Sequence, residues 1–255
     1  MRRVFVLGIL TVVAAVVLAA DSGDAIPADG GAIQVTPVMR SSVQIEYAGK
    51  VIQVDPVAKY DNVDIQFVGK FEALKPADLI LVSDIHPDNF DADEIGKIRK
   101  PGAPVVMTAA VATLAGAKIS TPTTIMANGD MATVAGISIE ALPMYNLQHG
   151  PKPGELYHPK GRGNGYVLTL GGKRLYFMGD TECTPEVRGL KNIDVAFVPM
   201  NMPYTMTPAE AVECVMAFQP KIVYPYHYEG QRRDETLFRA FLKNTPVEVR
   251  INTKG

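Results

Sequence analysis

The segment Ser83-Asp84-Ile85-His86-Pro87-Asp88-Asn89 places two carboxylates and an imidazole at alternate positions. In an extended loop, side chains two residues apart project to the same side, so Asp84, His86 and Asp88 converge. Two carboxylates held so close repel each other, and a divalent cation relieves that repulsion. A purely structural role is the competing reading: Asp84 and Asp88 capping the turn into a helix, with His86 a hydrogen-bonded neighbour. Two distant residues shift the balance. Asp180 ends an apolar run in Met178-Gly179-Asp180-Thr181, and His227 ends the run from Ile222 to Tyr226. Taken singly, Asp180 reads as a helix N-cap and His227 as a core histidine. Taken together, acids and imidazoles at the carboxyl ends of separate strands are how a metal pocket is assembled. The other two histidines, His149 and His158, are the candidates for a further imidazole ligand.

Strands and helices must hold these residues. Val43 to Asp55 alternates apolar and polar residues on both sides of Ala48-Gly49-Lys50, which predicts a hairpin. The same pattern recurs from Tyr166 to Asp180 around Gly171-Gly172-Lys173, and again from Ala132 to Leu142 around Ala135-Gly136. The first two hairpins both run into an aspartate. Continuous apolar runs at Leu79 to Ser83, Ile193 to Pro199 and Lys221 to His227 predict buried strands. Helices are expected from Asp91 to Lys100, from Thr207 to Phe218 and from Asp234 to Lys243. The second of these opens with a capping threonine, a first-turn proline and a glutamate three residues on. Hairpins in both halves, each followed by strand–helix units, predict an α/β fold of four layers, an αβ/βα sandwich.

The chain has 255 residues, 47% of them apolar, and a net charge of −2, which suits one core. Lys and Arg form no basic stripe, so nucleic acid is not an expected partner. Arg2 and Arg3 precede an apolar run from Val4 that ends in Leu18-Ala19-Ala20, a secretory signal pattern too short for a usual membrane span. Residues 1–20 are therefore read as a signal peptide, 21–31 as a leader linker and 32–255 as one domain. The mature protein is expected outside the cytoplasm, periplasmic or secreted, without stable membrane insertion. An oxidising compartment allows a disulfide between Cys183 and Cys214, though spacing alone does not establish it. Gly161, Gly163 and Gly165 form a GxGxG that precedes a strand instead of following one, so it is no dinucleotide fingerprint. There is no GxSxG elbow for a serine hydrolase. Cys183 as a nucleophile is the remaining non-metal chemistry, set against its reading as a packed or disulfide cysteine.

The ordered set of Asp55, SDIHPDNFD after the strand 77–83, HPKGRGNGY, MGDT, PMNMPYTMTPAEA and YPYHY resembles the metallo-β-lactamase superfamily. The branch it is most similar to is that of the ascorbate-phosphate-lactonase-like hydrolases, and the likeness spans nearly all of the mature chain. It implies the metallo-β-lactamase fold and metal-dependent hydrolysis of a small ester, lactone, amide or phosphoester. The family's THxHxDH loop falls on Ser83 to Asn89, so that His86 matches the second histidine and Asp88 the aspartate. Asp84 stands where the first histidine usually is, and Asn89 where the last one is. Asp180 matches the bridging aspartate and His227 the terminal histidine; His158 is the expected intermediate ligand, with His149 the alternative. The implied cofactor is Zn2+, one ion or two, and the carboxylate-rich set also suits Mn2+ or Fe2+. Such an ion lowers the pKa of bound water to about 7, so that hydroxide attacks the substrate. Asp88 is the candidate to orient that water or take its proton. Lys160 and Arg162, beside His158, are candidates to hold a substrate anion, and Tyr204 to donate to a developing oxyanion. Asp84 and Asn89 also motivate an alternative, a member that binds metal or ligand without turnover.

Overall fold

The computed structural model describes residues 24–57, 74–228 and 232–251. The segment read as a signal peptide lies outside them. Two seven-stranded sheets contain all the strands among the described residues, and each half of the chain builds one sheet. The first runs in chain order through β1 (Asp24–Ala28), β2 (Gly31–Met39), β3 (Ser42–Tyr47), β4 (Lys50–Val54), β5 (Leu79–Leu81), β6 (Val105–Met107) and β7 (Thr123–Ile125). The second runs through β8 (Met131–Val134), β9 (Ile137–Met144), β10 (Gly163–Leu170), β11 (Lys173–Phe177), β12 (Val195–Pro199), β13 (Ile222–Tyr226) and β14 (Glu248–Val249). In both sheets the first four strands pair antiparallel and the last four parallel. Asp55 and Asp180 follow corresponding strands, β4 and β11.

The three expected hairpins form, each on a two-residue turn with positive φ at both central positions: Ala48-Gly49, Ala135-Gly136 and Gly171-Gly172. That geometry matches the twist of the flanking strands. Helices α1 (Ala92–Ile98), α2 (Ala109–Ala115), α3 (Pro185–Arg188), α4 (Pro208–Phe218) and α5 (Arg232–Leu242) lie in the β5–β6, β6–β7, β11–β12, β12–β13 and β13–β14 connections. Asp91 caps α1 by accepting from the Asp93 and Glu94 amides, and Thr207 with Glu210 forms a reciprocal capping box on α4.

Three apolar layers account for the four structural ones. Ile45, Ile52, Leu79 and Leu81 of the first sheet meet Tyr166, Leu168, Phe177 and Phe197 of the second. The alternate residues Ile80 and Val82 turn outward onto Ile95, Ile98 and Val111 of α1 and α2. Likewise Val167, Tyr176 and Val198 pack on Val215, Phe218 and Phe238 of α4 and α5. Strand periodicity thus covers both faces of each sheet, giving the αβ/βα sandwich. Among the described residues no helix is long and apolar enough to cross a membrane.

The linker expected over residues 21–31 is corrected from Asp24 on. Residues 24–28 are the edge strand β1, paired with β2 and anchored by Ile26 in the inter-sheet core. The Asp29-Gly30 stretch that looked like linker composition is the turn between them. Strand β5 also stops short of Ser83, because the Ser83 amide turns to the Asp55 carboxylate at 2.7 Å.

Candidate metal centre

All the candidate ligands but His158 follow the carboxyl ends of strands on the rim where the two sheets meet. Asp84, His86 and Asp88 follow β5, Asp180 follows β11, and His227 follows β13. His158 comes from the long connection between β9 and β10. Cross-sheet hydrogen bonds set the spacing of that rim: Asn164 N to Ser83 O at 2.9 Å, Tyr166 Oη to Val82 O at 2.9 Å, and His227 N to Arg40 O at 2.9 Å. The glycine motif gains its reason here, since a Cβ at Gly163 would lie 2.1 Å from Met144 Cε and 3.1 Å from Ser83 O. A side chain there would have to displace Met144 and press on Ser83.

Two groups of ligand atoms result, each within 4.8 Å of its own members: Asp84, His86, His158 and Asp180 in one, and Asp88, Asp180 and His227 in the other. Asp180 belongs to both. Its Oδ2 lies 3.2 Å from His158 Nε2, and its Oδ1 lies 3.1 Å from His227 Nε2. His86 turns Nδ1 inward, 3.2 Å from His158 Nε2 and 3.1 Å from Asp84 Oδ2. Its ring is one-third exposed, whereas Asp84, His158, Asp180 and His227 are buried, so the cluster opens at His86.

The residues fit a cation. His227 Nε2 is buried and makes no hydrogen bond, although carboxylate oxygens of Asp180 and Asp88 lie 3.1 and 3.5 Å away. By donor type the first group offers two imidazole nitrogens with two carboxylates and the second one imidazole nitrogen with two carboxylates, both sets that a divalent ion accepts. Without an ion the acids and imidazoles of the cluster shift one another. Burial alone would raise Asp180, but the His227 and His158 rings hold its carboxyl well below the usual range. Burial would lower His227, but the charges of Asp180 and Asp88 carry it up to about 9. His86 is lowered by burial against the pull of Asp84. Burial pushes Asp55 up to about 7 despite its hydrogen bonds from Ser83.

Both departures from the family loop have visible neighbours. Asp84 accepts a forked pair of bonds from Arg162, Nε at 3.0 Å and Nη2 at 2.7 Å. Asn89 is fully buried and turns its amide nitrogen to Ser83 Oγ at 3.2 Å, Asp55 Oδ2 and Asp180 Oδ1 at 3.3 Å, and Ser41 Oγ at 3.4 Å. Its donor side therefore faces the acids a metal would claim.

Of the two intermediate histidines, His158 lies in the cluster. His149 lies outside it, with Nδ1 2.5 Å from the Thr205 carbonyl and 3.3 Å from Glu182. Arg162 reaches the centre, its Nη2 3.4 Å from His86 Nε2. Lys160 does not: its ammonium is bound by Glu186 at 2.5 Å and sits over the Tyr145 ring. Tyr204 packs edge-on against Tyr157 and is partly exposed, with its main-chain carbonyl accepting from Asn146. Sequence reasoning missed Asn146, behind His158, and Asn201, whose Nδ2 lies 3.1 Å from His227 Nδ1. Neither carries a spacing signal, because each reaches its histidine only through the fold.

The family model for the beta-lactamase superfamily domain matches residues 34–227. The chain belongs to the metallo-β-lactamase superfamily. A UPF0173 metal-dependent hydrolase of Deinococcus radiodurans is 30% identical over 194 residues, 74% of this chain and 82% of the relative. The counterpart in Pyrococcus abyssi is 33% identical over 186 residues, covering 70% of this chain and 77% of its own. A crystal structure of a metal-dependent hydrolase from Parabacteroides distasonis superposes with a TM-score of 0.77 at 35% identity, covering 90% of this chain and 97% of that one. As a metal-dependent hydrolase of the superfamily, the chain has in its Asp/His cluster the candidate seat for the metal. The same fold carries a diiron β-hydroxylase of Streptomyces venezuelae, at 16% identity and a TM-score of 0.64, over 88% of this chain and 53% of that one. Fold alone therefore leaves the metal's identity open.

Proposed function

We propose that this protein is an exported hydrolase that uses one divalent ion, Zn2+ in the first instance, to cleave an ester, lactone, amide or phosphoester of a small molecule. The observation that carries this reading is the convergence of Asp84, His86, His158 and Asp180, whose ligand atoms lie within 4.8 Å of one another at a site open through His86. Asp84, His86, His158 and Asp180 would hold the ion. A single ion is favoured because Asn89 directs its amide nitrogen at Asp180 where the family places an imidazole. The carboxylate content keeps Mn2+ and Fe2+ as alternatives.

A bound divalent ion supplies Lewis acidity, activating water and polarising the bond to be cleaved. Asp88, oriented by Arg40 at 3.4 Å, is placed to align the attacking water and accept its proton. Arg162 presents its guanidinium beside the exposed edge of His86, where an anionic substrate group would enter. Export is supported by the signal pattern of residues 1–20 and by the disulfide between Cys183 and Cys214, a bond that oxidising compartments preserve. The forked Arg162 grip on Asp84 favours a second reading, a member that binds metal without turnover.

Elemental analysis of the purified mature chain, followed by assay of the loaded protein on ester, lactone, amide and phosphoester panels, tests both. About one ion per chain with hydrolysis that chelation abolishes supports the proposal. Asp180→Asn is expected to lose the ion and at least ~100-fold of the activity, beyond what a supporting residue costs. Loaded protein inert on every panel favours the binding reading, and a chain that takes up no ion overturns both. N-terminal sequencing of the exported form is expected to show cleavage near Asp21.

A further inference from the structure

We propose that Asn146, gripped by Glu182, is the positioning residue that keeps a proton on His158 Nδ1 and thereby leaves Nε2 as the atom offered to the metal. The inference rests on the metal-centre reading above, and concerns how the ligand is prepared.

The orientation of the Asn146 amide is determined by three contacts. Its Nδ2 faces two acceptors, Glu182 Oε1 at 3.0 Å and the Tyr204 carbonyl at 2.8 Å. Its Oδ1 faces the main-chain amide of His158 at 2.7 Å. Exchanging the two atoms would set N–H against N–H and oxygen against two oxygens, so the usual ambiguity of a side-chain amide is absent. The same Oδ1 lies 2.7 Å from His158 Nδ1. An amide oxygen has no proton to give, and two lone pairs 2.7 Å apart repel, so Nδ1 is the donor. His158 Nε2 then points away from Asn146 toward Asp180 Oδ2 and His86 Nδ1, each 3.2 Å off.

Glu182 holds the amide in place. It is buried, and its Oε1 also accepts from the main-chain amides of Gln148 at 3.2 Å and His149 at 2.7 Å. One carboxylate thus fastens the segment 146–149 and polarises Asn146 toward His158. The arrangement is a carboxylate–amide–imidazole relay behind a metal ligand, where an outer partner sets ring orientation and tautomer. Disulfide-bonded Cys183 follows Glu182 directly, and Asp180 lies two residues before it. The short strap 180–183 therefore carries a direct ligand and the support of another.

Long-range 1H–15N NMR of the metal-free, 15N-labelled mature chain reads the ring nitrogens, with each histidine assigned by its His→Gln variant. His158 Nδ1 is expected to show the protonated, pyrrole-type shift. Asn146→Ala removes the acceptor, and is expected to show mixed tautomers and a metal Kd weakened about 10- to 100-fold in chelator competition. A pyridine-type Nδ1 in the wild type overturns the inference, as does Asn146→Ala with the wild-type signature and an unchanged Kd. If Asn146→Ala fails to fold, the wild-type tautomer decides the matter alone. Because the tautomer is read without metal, a wild type that binds no ion overturns the hydrolase reading separately.

Discussion

Asn89 is the residue that most separates this centre from the family loop. Its amide nitrogen faces Asp180 as a donor and has no lone pair for an ion, whereas an imidazole there supplies one. Asn89→His is therefore expected to raise the metal content from one ion per chain to two, measured by elemental analysis after dialysis. An unchanged content would count against Asn89 as the reason for a single ion. Asp55 is the second unusual residue, with its pKa raised from 3.8 to about 7 chiefly by burial. A carboxyl raised on folding favours the folded state while protonated and loses that preference as pH rises between the unfolded and folded values. Relative to Asp55→Asn, the metal-free wild type should therefore lose stability between pH 3.8 and about 7, then stay level above it. The total approaches a few kcal/mol, at about 1.4 per pKa unit. Paired pH series of urea melts read this difference. His227 acts with the opposite sign: raised from 6.5 to about 9, it stabilises the metal-free fold fully below 6.5 and ceases to do so as pH passes about 9.

At the scale of elements, the centre depends on short connections fastened to regular structure. The strap after β11 is bonded through Cys183 to Cys214 in the middle of α4, closing a separation of 31 residues. Removing the bond by the double change Cys183→Ala with Cys214→Ala is expected to cost about 3 kcal/mol of stability. Thermal melts should show the loss, and metal affinity should fall with it because Asp180 and Glu182 share the strap. A melt unchanged by reduction would mean that packing of Cys183 and Cys214 in the outer core suffices. The α4 cap made by Thr207 and Glu210 orients the helix that receives the bond.

Across the whole molecule, the ligands span residues 84–227 and come from both sheets. No unfolded chain brings them together, so the ion binds the folded state alone and its binding energy adds to stability. At a free metal concentration 100 times Kd, that addition is about 2.7 kcal/mol. Chelation is accordingly expected to lower Tm by roughly 5–10 °C, at the ~2–4 °C per kcal/mol typical of a domain this size. Equal melts with and without chelator would mean that the ion is weakly held or absent. The repeated pairing pattern of the sheets also explains why Asp55 and Asp180 are both buried at the rim, although only Asp180 meets the histidines.

Local order alone determined the hairpins, the capped helices and the layered architecture, because alternation, turn residues and caps act between near neighbours. It also marked the ends of β5, β11 and β13, since polar residues that terminate apolar strands stand out in a linear pattern. Position 24–31 resisted the same reasoning: one buried isoleucine and a Gly-rich turn look like linker until β2 pairs with them. Tertiary structure alone decided that His158 and not His149 joins the cluster, that Lys160 goes to Glu186 while Arg162 goes to Asp84, and that Asn146 stands behind His158. Those pairings depend on which strand ends and loops share a rim. Contacts made across dozens of residues leave no periodic trace in the chain.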